Sequence, residues 1–230
     1  MYFDPVYLVF ALPGILLAMY ASFKVKSTFN KYSRVASSTG VSGAESARRV
    51  LHAAGIDDVA IEQTGGFLSD HYDPMKRVLR LSPGVYQGRG LSSIGVACHE
   101  AGHAIQHKAG YAWMHLRTAM VPATNISSWM SYIVIMLGFM LSSQRFILFG
   151  AVLFSAAVLF SIVTLPVEWD ASSRAKKLMV EAGVVGSGEA VAAGRVLNAA
   201  FLTYVAAAVS SLLTLLYYLM RAGVLGRRRD

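Results

Sequence analysis

Four apolar stretches, at residues 6–23, 126–141, 146–165 and 199–220, constrain the fold of this 230-residue chain more than any other feature. A helix needs about 20 predominantly apolar residues to cross the hydrocarbon core of a bilayer. None of the four stretches contains Asp, Glu, Lys, Arg or His. Hydrophobic residues make up 55% of the chain and charged residues only 15%. The sequence therefore predicts a four-span helical membrane protein.

The ends of these stretches predict the topology. Lys24 and Lys26 follow the first stretch and no basic residue precedes it, which favours a retained anchor over a cleaved signal peptide. Pro166 is expected to end the third span. Only residues 142–145 join the second and third spans, so we expect a tight helical hairpin that returns the chain to the side it left.

The polar region between the first two spans is expected to be a small α+β fold. Ser42 and Glu45 fit a capping box, which predicts a helix that ends near Gly55. Residues 59–61 and 78–81 have the composition of short strands. The segment between them is too short for a βαβ crossover, so we expect a meander. The predicted fold class is thus α+β and mainly helical.

These predictions divide the chain into five parts. The expected order is an N-terminal anchor (1–23), an extramembrane region with a metal-binding motif (24–120), a transmembrane hairpin (121–166), a region with the helix of the third metal ligand (167–198), and a C-terminal span with a basic tail (199–230).

The motif His99-Glu100-x-x-His103 predicts a zinc site. On a helix, residues four apart lie on one face, so both imidazoles can bind one Zn²⁺. Glu100 is then placed to act as general base for a zinc-activated water. Residues 94–109 contain no proline, hydroxyls at 92–93 can cap the helix, and Gly110 can end it.

A catalytic zinc usually has three protein ligands and an open position for water. Glu168 is the strongest candidate for the third, because the predicted hairpin returns it to the side of His103. We expect it at the start of a helix over residues 168–180, where a carboxylate is also favoured without metal. His107 is excluded as a third ligand, because it lies about 12 Å along the helix from His99.

Other polar side chains have weaker claims. His115, beyond Gly110, is an alternative third ligand if the chain folds back, whereas His52 and His71 are expected to be structural histidines. Cys98 is turned about 100° from its neighbour His99 and is predicted to be a core residue. The net charge of +8 is attributed to basic residues that flank the spans, and no nucleic-acid partner is expected.

Several segments resemble one family of membrane enzymes. The stretches at 70–74, 81–82, 99–107 and 165–172 closely resemble the bacterial membrane neutral zinc metallopeptidases, a YugP-like group of small gluzincins, and the resemblance covers nearly the whole chain. It implies one zinc per chain. The residues it implies for the site are His99, His103 and Glu168 as zinc ligands and Glu100 as general base.

A more distant resemblance is to the larger membrane proteases related to the heat-shock protease HtpX and to the CAAX-processing enzymes. Those proteins carry an Asp four residues after the ligand Glu, where this chain has Ser172. Either Ser172 or Asp170 is then a candidate to support a ligand histidine. Asp170 and Arg174 are also spaced for an ordinary ion pair within a helix.

The chemistry expected from these residues is peptide hydrolysis. The developing oxyanion needs a donor besides zinc, and Arg174, His71, His107 and His115 are all candidates. The strand at 78–82 either pairs with an extended peptide at a sheet edge or lies inside the sheet.

The alternative function is a non-catalytic zinc-binding scaffold or a metal-handling membrane protein. Retention of Glu100 and the uncharged cores of the spans both weigh against it. The expected partners are the lipid bilayer and a peptide or membrane-protein substrate, and the expected location is the bacterial plasma membrane. All but five of the 21 lysines and arginines lie on the motif's side of the predicted topology, which favours a site facing the cytoplasm, although the cluster at 227–229 lies on the other side.

Overall fold

The structure is a computed structural model that describes residues 4–66 and 69–225. The described part of the chain is mainly helical with one small sheet. The helices are α1 (Pro5–Ser33), α2 (Gly43–Ala53), α3 (Pro83–Tyr86), α4 (Leu91–Lys108), α5 (Ala112–Met140), α6 (Gln144–Glu181) and α7 (Ser187–Arg221), and the strands are β1 (Ala60–Gln63), β2 (His71–Asp73) and β3 (Val78–Leu81).

The chain divides into two compact units. Among the described residues, one unit comprises 4–21, 115–166 and 203–225, and the other comprises 22–66, 69–114 and 167–202. Four helices, α1, α5, α6 and α7, are long and apolar enough to cross a membrane. The four predicted spans thus correspond to four candidate membrane-spanning helices. In the first unit large apolar side chains such as Val9, Trp129 and Tyr132 are exposed, as expected of surfaces that face lipid.

The prediction that a helix begins at Glu168 is wrong. Pro166 lies inside α6, which runs without interruption from Gln144 to Glu181. A proline removes one backbone donor and can kink a helix, but the flanking turns keep their own hydrogen bonds. As a result Glu168 lies in the middle of a helix, and the expected stabilisation by a helix N-terminus does not apply to it.

The second unit is built around α4, which is buried along most of its length. Helix α2 and the sheet pack on it, and the core continues into the parts of α6 and α7 that belong to this unit. Val50, Leu79, Ile94, Met179 and Val196 are representative, and each is almost wholly buried. A helix that is apolar on most sides must be enclosed in this way, which fixes the motif inside the unit.

The sheet has the strand order β1-β3-β2. Strand β1 is parallel to β3, with Ala60 opposite Val78, and β2 is antiparallel to β3, with Tyr72 opposite Leu79. The predicted meander is therefore wrong, because the segment between the two predicted strands contains β2 and carries the chain to the other edge. Strand β3 is central and largely buried, so it cannot pair with a peptide at an edge.

The helix ends follow the predicted chemistry in part. The Ser42 side chain accepts a hydrogen bond from the Glu45 backbone N–H at 3.3 Å, while the Glu45 carboxylate pairs with two arginines of its own helix. The N-cap of α4 is Gly90 and not one of the predicted hydroxyl residues at 92–93. Ser93 Oγ instead donates a hydrogen bond to the Gly84 carbonyl. Gly110 has a φ of +64° directly after α4, as expected of a helix stop.

Candidate metal centre

Three potential ligand atoms converge in the second unit. One ligand atom each from His99, His103 and Glu168 lies within 4.8 Å of the other two, and no other group of this kind is found in the described residues. Glu168 Oε2 is 3.2 Å from His99 Nε2 and 3.6 Å from His103 Nε2. The two imidazole rings lie edge to face with their centroids 4.7 Å apart. The arrangement brings two nitrogens and one carboxylate oxygen close enough to bind one ion.

Local sequence explains this convergence. His99 and His103 are one turn apart on α4, and Glu168 lies on α6. The two helices approach closely where Gly102 faces Ala171, because a Cβ on Gly102 would lie 2.6 Å from the Ala171 carbonyl oxygen. The small residue inside the motif therefore allows the helix of the third candidate to reach the first two.

Two of the three candidate ligands are buried, whereas His99 is partly exposed. Glu168 is 2% exposed, His103 is 7% exposed, and the neighbouring Glu100 is 8% exposed. Burial of a carboxylate is costly without compensating partners, and the two imidazoles supply them for Glu168. The Glu100 carboxylate takes part in no hydrogen bond or ion pair with another described residue. A buried acid that serves no structural partner is available for chemistry.

The charges of Glu168 and Glu100 affect the pKa of His103. Burial on its own lowers the pKa of His103, but the hydrogen bond that His103 donates to Glu168 and the negative charges of Glu168 and Glu100 outweigh it, so the net pKa is raised. The site thus attracts a cation, whether a proton or a metal ion.

A second layer of hydrogen bonds surrounds His103. Its Nδ1 lies 3.0 Å from Gln106 Oε1. Gln106 Nε2 donates to the Val167 carbonyl and to Asp170 Oδ2, both at 2.8 Å. Arg174 Nε donates to the same Asp170 oxygen at 2.6 Å. The sequence interpretation missed Gln106, although its position three residues after His103 on one helix face was a usable signal.

The other ligand histidine has a different partner. His99 Nδ1 lies 3.1 Å from Ser172 Oγ. Of the two candidates for histidine support, Ser172 thus contacts His99 directly, whereas Asp170 reaches His103 only through Gln106. Both Asp170 and Ser172 lie on α6, within about one turn after Glu168.

The remaining candidates lie outside the convergent group. His107 Nδ1 is hydrogen-bonded to the Tyr72 hydroxyl at 2.9 Å, and His71 Nδ1 to the Ser69 carbonyl. His115 is exposed on α5, in the other unit. The guanidinium of Arg174 is held by Asp170 and lies 5.7 Å from the Tyr111 ring centroid. His52 pairs with Asp57 at the surface.

The cysteine next to the first histidine behaves as predicted. Cys98 is fully buried, and burial raises the pKa of its thiol to about 12. It contributes packing to the core and is not a ligand candidate.

The three donors fit a zinc ion. Two imidazole nitrogens and one carboxylate oxygen form a donor set known from catalytic zinc sites. Ligands about 2.0–2.2 Å from a tetrahedral zinc stand roughly 3.3–3.6 Å from one another. The separations of 3.2 and 3.6 Å from Glu168 Oε2 to the two nitrogens are close to that range. The fold and site thus define a mainly helical protein with a candidate metal centre whose donors suit zinc.

Comparison with known proteins supplies the family. A family model described as "Putative neutral zinc metallopeptidase" matches residues 7–223. The "Putative membrane protease YugP" of Bacillus subtilis (strain 168) is 49% identical over 204 residues, which cover 89% of this chain and 91% of that protein. The chain therefore belongs to the neutral zinc metallopeptidase family of that model. No solved structure matches, so the gluzincin class remains a prediction.

Proposed function

We propose that this chain is an integral-membrane zinc metallopeptidase in which His99, His103 and Glu168 hold one zinc ion and Glu100 is the general base. The observation that carries the proposal is the convergence of three donor atoms within 4.8 Å, two of them on buried side chains, beside a buried glutamate without a structural partner. Membership of a zinc metallopeptidase family supports the metal and the reaction class. The four apolar helices and the relative's name support attachment to a membrane.

The reaction we propose is hydrolysis of a peptide bond. A bound zinc ion supplies an acidified water and polarisation of the scissile carbonyl. The Glu100 carboxylate accepts a proton from the attacking water and passes it to the leaving amine nitrogen as the C–N bond breaks. Burial of Glu100 keeps bulk water from its carboxylate, which strengthens its electrostatic contribution. His99, His103 and Glu168 keep their positions throughout.

The test compares three Glu→Gln substitutions, each of which replaces a carboxylate with an amide of nearly the same size, in purified protein. Glu100→Gln keeps size and cannot accept the proton, so peptide cleavage should fall by at least about 10²-fold while zinc is retained. Glu168→Gln should lower zinc content and activity together. Glu181→Gln changes an exposed residue at the far end of the same helix and should alter neither.

Two results would overturn the proposal. Normal cleavage by Glu100→Gln would remove the general base, and undiminished zinc in His99→Ala or His103→Ala would remove the ligand assignment. The alternative of a non-catalytic zinc scaffold makes a distinct prediction, since it requires zinc in the wild type but no cleavage that depends on Glu100.

We also propose that the protein lies in the bacterial plasma membrane with its site facing the cytoplasm, where it cleaves peptides or membrane proteins. The excess of basic residues on that side supports this orientation. Met75 is 87% exposed in the unit that contains the site. In a Cys98→Ala background, Met75→Cys should react with an impermeant maleimide in inverted vesicles but not in intact cells. The reverse pattern would contradict the orientation.

A further inference from the structure

Beyond the four residues of the proposed mechanism, we infer that Gln106 is a positioning residue that fixes the ring of His103 for metal binding, with Asp170 and the Val167 carbonyl holding its amide. This inference rests on the proposed zinc site. Gln106 would contact neither the metal nor the substrate, and it would act through His103.

The first step is the orientation of the amide. The Val167 carbonyl oxygen can only accept a hydrogen bond, and it lies 2.8 Å from one end of the Gln106 amide. That end must therefore be the NH₂ group. Its second hydrogen is donated to Asp170 Oδ2, also at 2.8 Å. Both donor positions are used, and the amide cannot rotate without losing two hydrogen bonds.

The second step is the proton on the imidazole. With its NH₂ group held in place, Gln106 presents Oε1 to His103 Nδ1 at 3.0 Å. An amide oxygen only accepts, so Nδ1 must carry the hydrogen. The lone pair of the neutral ring is then on Nε2, the nitrogen that lies 3.6 Å from Glu168 Oε2. A metal ion binds the imidazole nitrogen that carries no hydrogen. The hydrogen bond made by the other ring nitrogen determines which of the two nitrogens this is.

The third step is the geometry between helices. Gln106 belongs to α4, and its two acceptors lie on α6 on either side of Glu168. The Gln106 side chain therefore fixes both the orientation of the His103 ring and the position of the helix that carries Glu168. Gln106 is 0% exposed, so water does not compete for these hydrogen bonds. The charge pair between Asp170 and Arg174 in turn fixes the carboxylate that receives the amide.

The experiment compares Gln106→Met with the wild type. Methionine has nearly the same length and volume, but it neither accepts from His103 nor donates to α6. Zinc affinity, measured by competition with a chelator, should fall about 10- to 100-fold. Gln87→Met is the matched control, since it makes the same chemical change at an exposed position and should leave zinc affinity unchanged.

A second readout separates positioning from mere packing. In zinc-saturated protein labelled with ¹⁵N-histidine, the wild type should show a protected Nδ1–H resonance that is missing in His103→Ala. In Gln106→Met this resonance should shift and exchange faster with water, because its acceptor is gone. A side chain that only filled space would leave the resonance unchanged.

The outcomes are distinguishable from those that test the proposed function. If the wild type binds no zinc, the proposed function fails. If it binds zinc and Gln106→Met binds equally tightly with an unchanged Nδ1–H resonance, only the role of Gln106 is overturned. If Gln106→Met does not fold, Asp170→Ala decides, since Asp170 is partly exposed and its loss frees one of the two amide anchors. A folded Asp170→Ala should bind zinc several-fold more weakly, and unchanged affinity would overturn the inference.

Discussion

A Cβ added to Gly102 would lie 2.6 Å from the carbonyl oxygen of Ala171. Real Cβ atoms essentially never approach another heavy atom so closely, and here the obstacle is backbone that cannot rotate away. Gly102 lies between the two histidines of α4, and Ala171 lies one turn beyond Glu168 on α6. The distance between these two helices therefore determines how closely Glu168 approaches His99 and His103.

Gly102→Ala should separate the helices and weaken the metal site. Alanine is favoured over glycine within a helix by about 1 kcal/mol, but overpacking against backbone costs about 1–3 kcal/mol. We expect lower thermal stability and a clear loss of zinc affinity, measured by unfolding and by chelator competition. Gly188→Ala is the control, because nothing lies within 4 Å of the added Cβ. Wild-type zinc affinity in Gly102→Ala would show that the close approach does not matter.

Ser172 should tune the affinity through His99. Its Oγ lies 3.1 Å from His99 Nδ1, so Ser172→Ala removes the partner that orients this ring. We expect zinc affinity to fall about 10-fold. Ser172→Asp supplies a stronger acceptor for the ring N–H and should bind zinc at least as tightly as the wild type. Equal affinity in all three proteins would exclude a role for this contact.

Removal of zinc should destabilise the protein. An ion that binds only the folded state adds about 2.7 kcal/mol to the free energy of unfolding when its free concentration is 100 times its Kd. Thermal unfolding of wild type should therefore shift downward in EDTA and recover when zinc is restored. His103→Ala should unfold at one temperature under both conditions. An EDTA shift of equal size in that variant would indicate a metal bound elsewhere.

The parts of this structure that the sequence predicted depend on short-range patterns. Apolar runs identify the four long helices, since a bilayer demands them regardless of tertiary context. The spacing of His99 and His103 places them on one face of any helix. The N-cap at Ser42 and the left-handed turn at Gly110 likewise depend on a few neighbouring residues.

The errors concern boundaries and long-range pairing. Helix α5 begins at Ala112, 14 residues before the apolar stretch at 126–141, because hydropathy marks the part suited to lipid and not the end of the helix. Pro166 lies inside α6, although a proline removes one backbone hydrogen bond. The helical segments on both sides of Pro166 together outweigh that loss, and a local sequence rule does not take them into account. The strand order required knowledge of β2, whose three residues give too weak a pattern.

Within the candidate site, direct donors were easier to predict than their supports. The histidines and Glu168 belong to residue types with ligand chemistry, which narrows the choice. A buried glutamine has no such distinguishing chemistry. The spacing of Gln106 from His103 indicates their contact, but its hydrogen bonds to Val167 and Asp170 on another helix follow from tertiary structure.

The last prediction uses the single cysteine as a probe of the core beside the site. Cys98 is 0% exposed, and burial raises the pKa of its thiol to about 12. Thiol reagents attack the thiolate, so native protein at about pH 8 should react very slowly, and denatured protein should react at once. In the unfolded chain the thiol ionises near its ordinary pKa of about 8.5. Above that pH the unfolded chain therefore binds fewer protons than the folded chain, in which the thiol stays protonated. Stability should therefore decline as pH rises past that value.

The measurement follows maleimide incorporation by mass spectrometry with and without denaturant. Met75→Cys in a Cys98→Ala background is the control for reagent access, since position 75 is 87% exposed and should react fully in native protein. Cys98→Ala should also lessen the decline of stability above about pH 9, because it removes the ionisable group. Rapid native labelling of Cys98 would mean that α4 opens readily, and a helix that opens readily cannot hold His99 and His103 in a fixed metal site.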